Sequence, residues 1–183
     1  MATQTVKQEI PAGTYAVDRV HSSVGFSVVH NGLSAFRGGF ADYEARLTGG
    51  ERPALEGSVA VASIEIPEEQ LKGHLLSPDF FDADRHPRLR FRSSELGAGE
   101  DGSLRVRGEL EIRGKTLEVE VGGRLAQLGS DLAGVARVGL SLEAKVDRRD
   151  FGLDWQAELP SGGQALDYEV AIAVELELVG EDE

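Results

Sequence analysis

The sequence contains no cysteine, only one tryptophan and no long hydrophobic run. Without cysteine the protein can form neither disulfides nor cysteine-ligated zinc sites, and it has no thiol nucleophile. No stretch approaches the roughly 20 consecutive apolar residues that a transmembrane helix needs. The first residues also lack the apolar segment of a secretory signal peptide, so we expect a cytoplasmic protein without stable membrane insertion.

Positive charge is scarce, since 19 Lys and Arg stand against 32 Asp and Glu and give a net charge of −13. This balance argues against nucleic acid as a partner, because nucleic-acid affinity comes largely from neutralised phosphates. The 183 residues have the length of one domain, which we place at residues 13–179. We expect residues 1–12 to form a flexible N-terminal arm and residues 180–183 an acidic tail.

Apolar residues alternate with polar ones along most of the chain, which is the period of a strand with one buried face. The clearest such segment runs from Tyr168 to Leu178, because glutamates occupy its opposite face. The dipeptide Asn31-Gly32 and the link Arg113-Gly114-Lys115 each separate two alternating segments. Short links of this kind predict β-hairpins.

About eight strands joined by short turns predict an all-β fold. Alternation alone fits a β-sandwich as well as an up-and-down barrel. A chain with almost no helix to cover a sheet edge favours closure, because closure removes the exposed edges. We therefore predict an eight-stranded antiparallel barrel.

One segment, residues 67–87, interrupts the alternation. Within it, Ser77-Pro78-Asp79 has the residues of a helix start: a hydroxyl N-cap, a proline at the first helical position and an acid near the positive end. Phe80 and Phe81 follow. We therefore predict a short helical insertion around residues 68–84, whose two phenylalanines either plug one end of the barrel or line a ligand entrance.

Motifs for catalysis and metal binding are missing from the sequence. The four histidines (His21, His30, His74 and His86) form no pair at i, i+2 or i, i+4 spacing and no HExxH motif. There is also no G-x-S-x-G nucleophile motif. We therefore predict no metal site, no catalytic residue and no cofactor.

The densest basic spot consists of Lys145, Arg148 and Arg149, shortly before Phe151 and Trp155. One interpretation is a barrel mouth, where cations meet an anionic headgroup and aromatic rings meet its tail. The other is a solvated turn whose arginines pair with neighbouring acids. The sequence leaves both open.

Several segments, taken in order, resemble the YceI-like family of lipocalin-like polyisoprenoid-binding proteins. They are Tyr15–Asp18 with His21–His30, His74–Asp82, Pro87–Phe91, Gly108–Gly114 and Asp147–Trp155. The resemblance spans roughly residues 13–179. It implies a lipocalin-like barrel that holds an amphipathic ligand such as a polyisoprenoid, an isoprenoid quinone or a fatty amide.

The resemblance also implies an apolar ligand channel inside the barrel. Its members would be the inward face of the first long strand with several aromatic residues, namely Val24, Phe26, Val28, Phe80, Phe81, Phe91 and Trp155. Alternation adds His30 to this face, and the basic spot adds Arg148 and Phe151. An eight-stranded barrel is just wide enough to hold one small ligand.

Three functional hypotheses follow. The leading one is a non-catalytic protein, monomeric or homodimeric, that carries or sequesters a long amphipathic lipid as its hydrophobic small-molecule partner. The alternative is an enzyme that cyclises or isomerises a hydrophobic substrate in the same cavity, with His30 as the first residue to test. The third is a solidly packed barrel that functions through contacts with other proteins.

Overall fold

The computed structural model describes residues 9–181. Its strands are β1 Gly13–Val17, β2 Ser23–His30, β3 Ser34–Phe40, β4 Tyr43–Gly49, β5 Ala54–Ala60, β6 Ile64–Glu65, β7 Arg88–Ala98, β8 Ser103–Ile112, β9 Lys115–Leu128, β10 Arg137–Asp147 and β11 Leu166–Gly180. The α-helix α1 spans Glu69–Leu76, and short 3-10 helices span Val61–Ser63 and Arg148–Phe151.

The sheet closes on itself through antiparallel pairing. A ring of eight strands (β1, β4, β5, β7, β8, β9, β10 and β11) forms because β1 pairs with both β4 and β11. Residues Leu166 to Glu175 of the 15-residue β11 pair instead with β2, so that β2, β3 and β6 extend the wall beyond this ring. The predicted all-β, eight-stranded antiparallel barrel is therefore confirmed.

Both predicted hairpins are present in the structure. Asn31 and Gly32, which join β2 to β3, have φ angles of 53° and 67°. Arg113 and Gly114, which join β8 to β9, have φ angles of 50° and 71°. Positive φ at both residues matches the right-handed twist of the flanking strands. Two residues suffice between β8 and β9, whereas the link between β2 and β3 also includes Leu33.

The helical insertion lies within the predicted residues 68–84, but the prediction that Ser77 starts the helix was wrong. Helix α1 begins after Glu68, whose carboxylate accepts hydrogen bonds from the backbone N–H groups of Gln70 and Leu71. Ser77 lies at the other end of α1, as its C-cap. Its hydroxyl still accepts from the N–H of Asp79, so the capping signal marks a turn after the helix. Helix α1, the one α-helix in residues 9–181, is too short and too polar to cross a membrane.

The barrel has a packed end and a hollow end. At the packed end, inward side chains from β1, β4, β8, β10 and β11 fill the interior, and Leu47, Val106, Leu140 and Leu178 are almost completely buried. The hollow end lies toward α1 and the 3-10 helix Arg148–Phe151, where a second hydrophobic cluster includes Phe40, Phe80 and Phe151. A cavity lined by residues of both clusters lies between them.

The segment before β1 closes the packed end. Ile10 is 2% exposed, and its carbonyl accepts from the N–H of Gly50. We expected this residue to belong to a flexible arm, yet it packs against the barrel because its apolar side chain fills the end of the interior. Residues 1–8 of the expected arm and residues 182–183 of the expected tail lie outside the described residues.

Candidate ligand cavity

A cavity of about 740 Å³ occupies the hollow end of the barrel. Alternate residues of two neighbouring strands form much of its wall: Val24, Phe26 and Val28 on β2, and Val170, Ile172 and Val174 on β11. Most of these apolar side chains are only half-buried although they point into the barrel. Solvent therefore reaches them from inside, which distinguishes this end from the packed one.

A row of aromatic rings crosses the cavity wall toward the helical insertion. The rings of Phe26 and Phe40 have centroids 5.9 Å apart, and those of Phe40 and Phe81 are 6.2 Å apart in an edge-to-face arrangement. All three residues line the cavity. Edge-to-face packing fixes the ring orientations and presents a rigid apolar surface.

A second aromatic group combines His74 of α1 with Phe80 and Trp155. The His74 ring meets Phe80 at 5.0 Å and Trp155 at 5.1 Å, both edge-on. Its Nε2 atom is hydrogen-bonded to a carboxylate oxygen of Asp79 at 3.1 Å. His74 therefore lies at the cavity with a fixed orientation and an acidic partner.

The turn that carries Phe80 and Phe81 covers the hollow end. Arg113 holds this turn in place, because its Nη1 donates to the carbonyl oxygens of Phe80 at 2.8 Å and of Gly152 at 3.3 Å. Phe80 is buried and Phe81 is half-buried, and both line the cavity. The two roles considered for these phenylalanines thus coincide: they cover the end of the barrel and form part of the cavity wall.

The predicted basic spot separates into two environments. Lys145 and Arg149 lie on the surface and pair with Glu169 at 3.3 Å and with Asp147 at 2.6 Å. Arg148 turns inward and is 4% exposed. Burial lowers the pKa of its guanidinium from the ordinary value, and the planar ring of Tyr168 lies 4.7 Å away.

Arg148 is held by the main chain. Its guanidinium donates to four carbonyl oxygens, those of Leu153 (2.7 Å), Trp155 (2.8 Å), Asp167 (2.9 Å) and Leu166 (3.1 Å). These contacts tie the loop before β11 to the 3-10 helix after β10. Arg148 therefore shapes the loop that places Trp155 at the cavity, although the residue itself also lines the cavity.

All ten residues expected to bind a ligand line this single cavity: Val24, Phe26, Val28, His30, Phe80, Phe81, Phe91, Arg148, Phe151 and Trp155. His30 lies at the exposed end of β2, at the rim. The structure brings these residues together, and their contact with a ligand stays a prediction.

Sequence reasoning missed several lining residues. Tyr43 and Leu71 line the cavity, but neither stood out in the sequence. His74 was noticed as one of four histidines, yet spacing rules for metal ligands did not single it out. The sequence feature that could have indicated His74 as a cavity residue is its closeness in the chain to Phe80, which lies just after the end of α1.

One group of potential metal ligands lies away from the cavity, at the bend between β1 and β2. Asp18, His21 and Glu177 place ligand atoms within 4.8 Å of one another. The guanidinium of Arg137 donates to Asp18 at 2.9 Å and to Glu177 at 2.6 Å, and it also pairs with Asp131. This guanidinium already supplies the positive charge that the carboxylates need.

The charges of this group shift one another's protonation. Hydrogen bonds from His21 and Arg137 hold the pKa of Asp18 well below its usual range, and the bond from Arg137 lowers the pKa of Asp131 to about 2. The Asp18 carboxylate raises the pKa of His21. The cluster is therefore an ion-pair network in which Asp18 and Asp131 stay ionised.

A closed barrel of eight antiparallel strands with an open apolar interior is the architecture of lipocalin-like proteins. Residues 15–178 match the YceI-like domain. The chain therefore belongs to the YceI-like family, as the motifs predicted.

The chain is similar to several known proteins in sequence or in structure, at low sequence identity. A UPF0312 protein of Photorhabdus laumondii is 29% identical over 167 residues, which cover 88% of this chain and 85% of that protein. BcnA of Burkholderia cenocepacia is similar in structure, with a TM-score of 0.73 at 20% identity, covering 90% of this chain and 99% of the other. A polyisoprenoid binding domain from Saccharophagus degradans gives a TM-score of 0.67 at 12% identity, covering 91% and 98%. At such identities the structural likeness shows a shared fold.

Proposed function

We propose that this protein binds a long amphipathic lipid inside its barrel and carries or sequesters it without chemical change. The observation that carries this proposal is the open cavity of about 740 Å³, walled mainly by apolar and aromatic side chains. The similarity in fold to a polyisoprenoid binding domain supports a polyisoprenoid as the ligand class. An isoprenoid quinone or a fatty amide would use the same apolar wall.

The physics of such a cavity favours a long chain. Each methylene that moves from water into an apolar site contributes about 0.8 kcal/mol before ordering costs are subtracted. A lipid tail therefore binds tightly with few polar contacts. The volume lies within the range of roughly 300–1,000 Å³ that is typical of small-molecule sites.

Native mass spectrometry of the purified protein tests the proposal directly. We expect a hydrophobic mass bound in a fixed ratio, which solvent extraction then identifies. Phe26→Asp places a charge on the cavity wall and should abolish lipid retention while the barrel remains folded. Val29→Asp is the matched control, because Val29 lies on the same strand but does not line the cavity. Equal lipid content in wild type and Phe26→Asp would show that the proposed lining is wrong.

The enzyme alternative has one observation in its favour. The His74–Asp79 pair lies at the cavity, and an oriented histidine is the commonest general acid or base. Comparison of the lipid extracted from wild type with that from His74→Gln tests this alternative. A different carbon skeleton or double-bond position in the two extracts would indicate chemistry in the cavity, whereas identical lipids would count against it.

A further inference from the structure

Tyr43 is a buried tyrosine on the inner wall of the barrel. It is the first residue of β4 and pairs with Val59 of β5. Because alternate residues of a strand face the same side, Tyr43, Ala45 and Leu47 share the inward face of β4. Its side chain is 4% exposed and lines the cavity. Along β4, Ala45 also lines the cavity but the fully buried Leu47 does not, so Tyr43 lies two residues beyond Ala45 on the side away from the packed end.

The hydroxyl group of Tyr43 has no hydrogen-bond partner within residues 9–181, and burial raises its pKa above the ordinary value. It is therefore a neutral phenol. The other two tyrosines of the chain are different. The Tyr15 hydroxyl donates to the carbonyl oxygen of Pro11 at 3.1 Å, and that of Tyr168 accepts from the side-chain amide of Gln164 at 3.2 Å.

An unpartnered hydroxyl in an apolar interior is unfavourable, and buried polar groups in folded proteins almost always have a partner. The cavity that Tyr43 lines is walled mainly by apolar side chains, among them Val59, the cross-strand partner of Tyr43 on β5. A partner must therefore come from what fills the cavity. Arg19, whose charge acts on this hydroxyl, already pairs with Asp42 and Glu44, so an anionic headgroup beside Tyr43 would be poorly compensated and therefore costly.

We infer that the Tyr43 hydroxyl hydrogen-bonds an uncharged oxygen of the bound lipid, such as an alcohol, carbonyl or quinone oxygen, in the interior of the cavity. This inference rests on the proposed lipid-binding function and narrows it. The polar end of the lipid then lies inside the barrel, and its hydrocarbon chain extends along the aromatic wall toward α1. A lipid whose headgroup is charged would not be accommodated in this orientation.

Two probes with the same fifteen-carbon isoprenoid skeleton, farnesol and farnesene, separate the hydroxyl contact from burial of the chain. Their affinities are measured by displacement of a fluorescent apolar dye, for wild type and for Tyr43→Phe. We expect Tyr43→Phe to bind farnesol about five- to tenfold more weakly than wild type does, the usual effect of losing one buried hydrogen bond. Its affinity for farnesene should not fall.

Tyr15→Phe provides the matched control, because Tyr15 is equally buried but lies at the packed end, away from the cavity. It should leave both affinities unchanged. Thermal unfolding of each variant confirms that the barrel is intact. An unchanged farnesol affinity in Tyr43→Phe, or an equal loss for both probes, would overturn the inference while leaving the proposed function standing. Wild-type protein that binds neither probe would overturn both.

Discussion

The ring of Phe26 lies directly over Gly38, its cross-strand partner in the β2–β3 pair. A Cβ atom at position 38 would come within 2.5 Å of Cζ of Phe26, closer than real contacts allow, and 3.0 Å from a methyl group of Ile66. Glycine at this position therefore leaves room for the ring to lie flat against the wall. Because Phe26 lines the cavity, Gly38 helps to set the width of the space that a ligand can use.

Gly38→Ala should narrow the cavity. The added methyl group forces the Phe26 ring off the wall and into the open space, and overpacking of this kind costs about 1–3 kcal/mol. We expect lipid affinity to fall about tenfold, as measured by dye displacement. Gly122→Ala is the control, because a Cβ there meets nothing within 4 Å. Equal lipid affinities for wild type and Gly38→Ala would show that the Phe26 ring moves without narrowing the cavity.

Arg113→Ala should speed the exchange of bound lipid. Arg113 ties the turn of Phe80 to Gly152, so its loss releases the cover of the hollow end. Hydrogen bonds from a charged group contribute about 1.5–3 kcal/mol, and we expect the dissociation rate to rise about tenfold or more. Stopped-flow displacement measures this rate. Arg85→Ala removes an arginine that is 80% exposed in the same region and should leave the rate unchanged. If Arg113→Ala released lipid as slowly as wild type does, lipid would have to leave by another route.

Arg148→Met should destabilise the fold far more than Arg149→Met. The first substitution leaves four carbonyl oxygens without their donor inside the protein, whereas the second removes a surface ion pair. We expect the free energy of unfolding to fall by about 3 kcal/mol for Arg148→Met and by less than about 1 kcal/mol for Arg149→Met. Urea denaturation measures both. Similar losses for the two variants would contradict the clamp described for Arg148.

Alternation predicted the barrel well because one strand position in two faces the interior, and that constraint acts on almost every residue of a β-protein. It put Val24, Phe26 and Val28 on one face of their strand, the family resemblance implied that this face points inward, and in the structure all three line the cavity. The asparagine-glycine and arginine-glycine turns were equally readable, since their conformations favour few residue types. These features depend on local sequence.

The features that the sequence did not predict depend on contacts between distant segments. Ser77 has the chemistry of a helix N-cap, but the carboxylate of Glu68 caps α1 instead, and the same hydroxyl serves a turn. The inward turn of Arg148 requires carbonyl groups up to 19 residues away. Likewise, the isolation of the Tyr43 hydroxyl becomes visible only once the strands around it are in place. Spacing rules carry no information about such contacts.

The network around Arg137 should make stability depend on pH in the acid range. The pKa of Asp131 is lowered to about 2 and that of Asp18 is lowered as well, relative to an ordinary value of 3.8. A carboxyl group with a lowered pKa stabilises the folded state above its unfolded pKa, and this contribution is lost as pH falls toward the folded pKa. The free energy of unfolding should therefore decrease as pH falls from about 5 to about 2.

Arg137→Gln tests this origin of the acid dependence. Without the guanidinium the pKa values of Asp18 and Asp131 return toward 3.8, so the decrease in stability between pH 5 and pH 2 becomes shallower. Urea denaturation at a series of pH values measures the slope. Arg107→Gln is the control, because Arg107 pairs with Glu118 and Glu120 on the exposed face of the β8–β9 wall. If both variants keep the wild-type slope, the acid dependence arises elsewhere, and the bend between β1 and β2 is held by packing rather than by these charges.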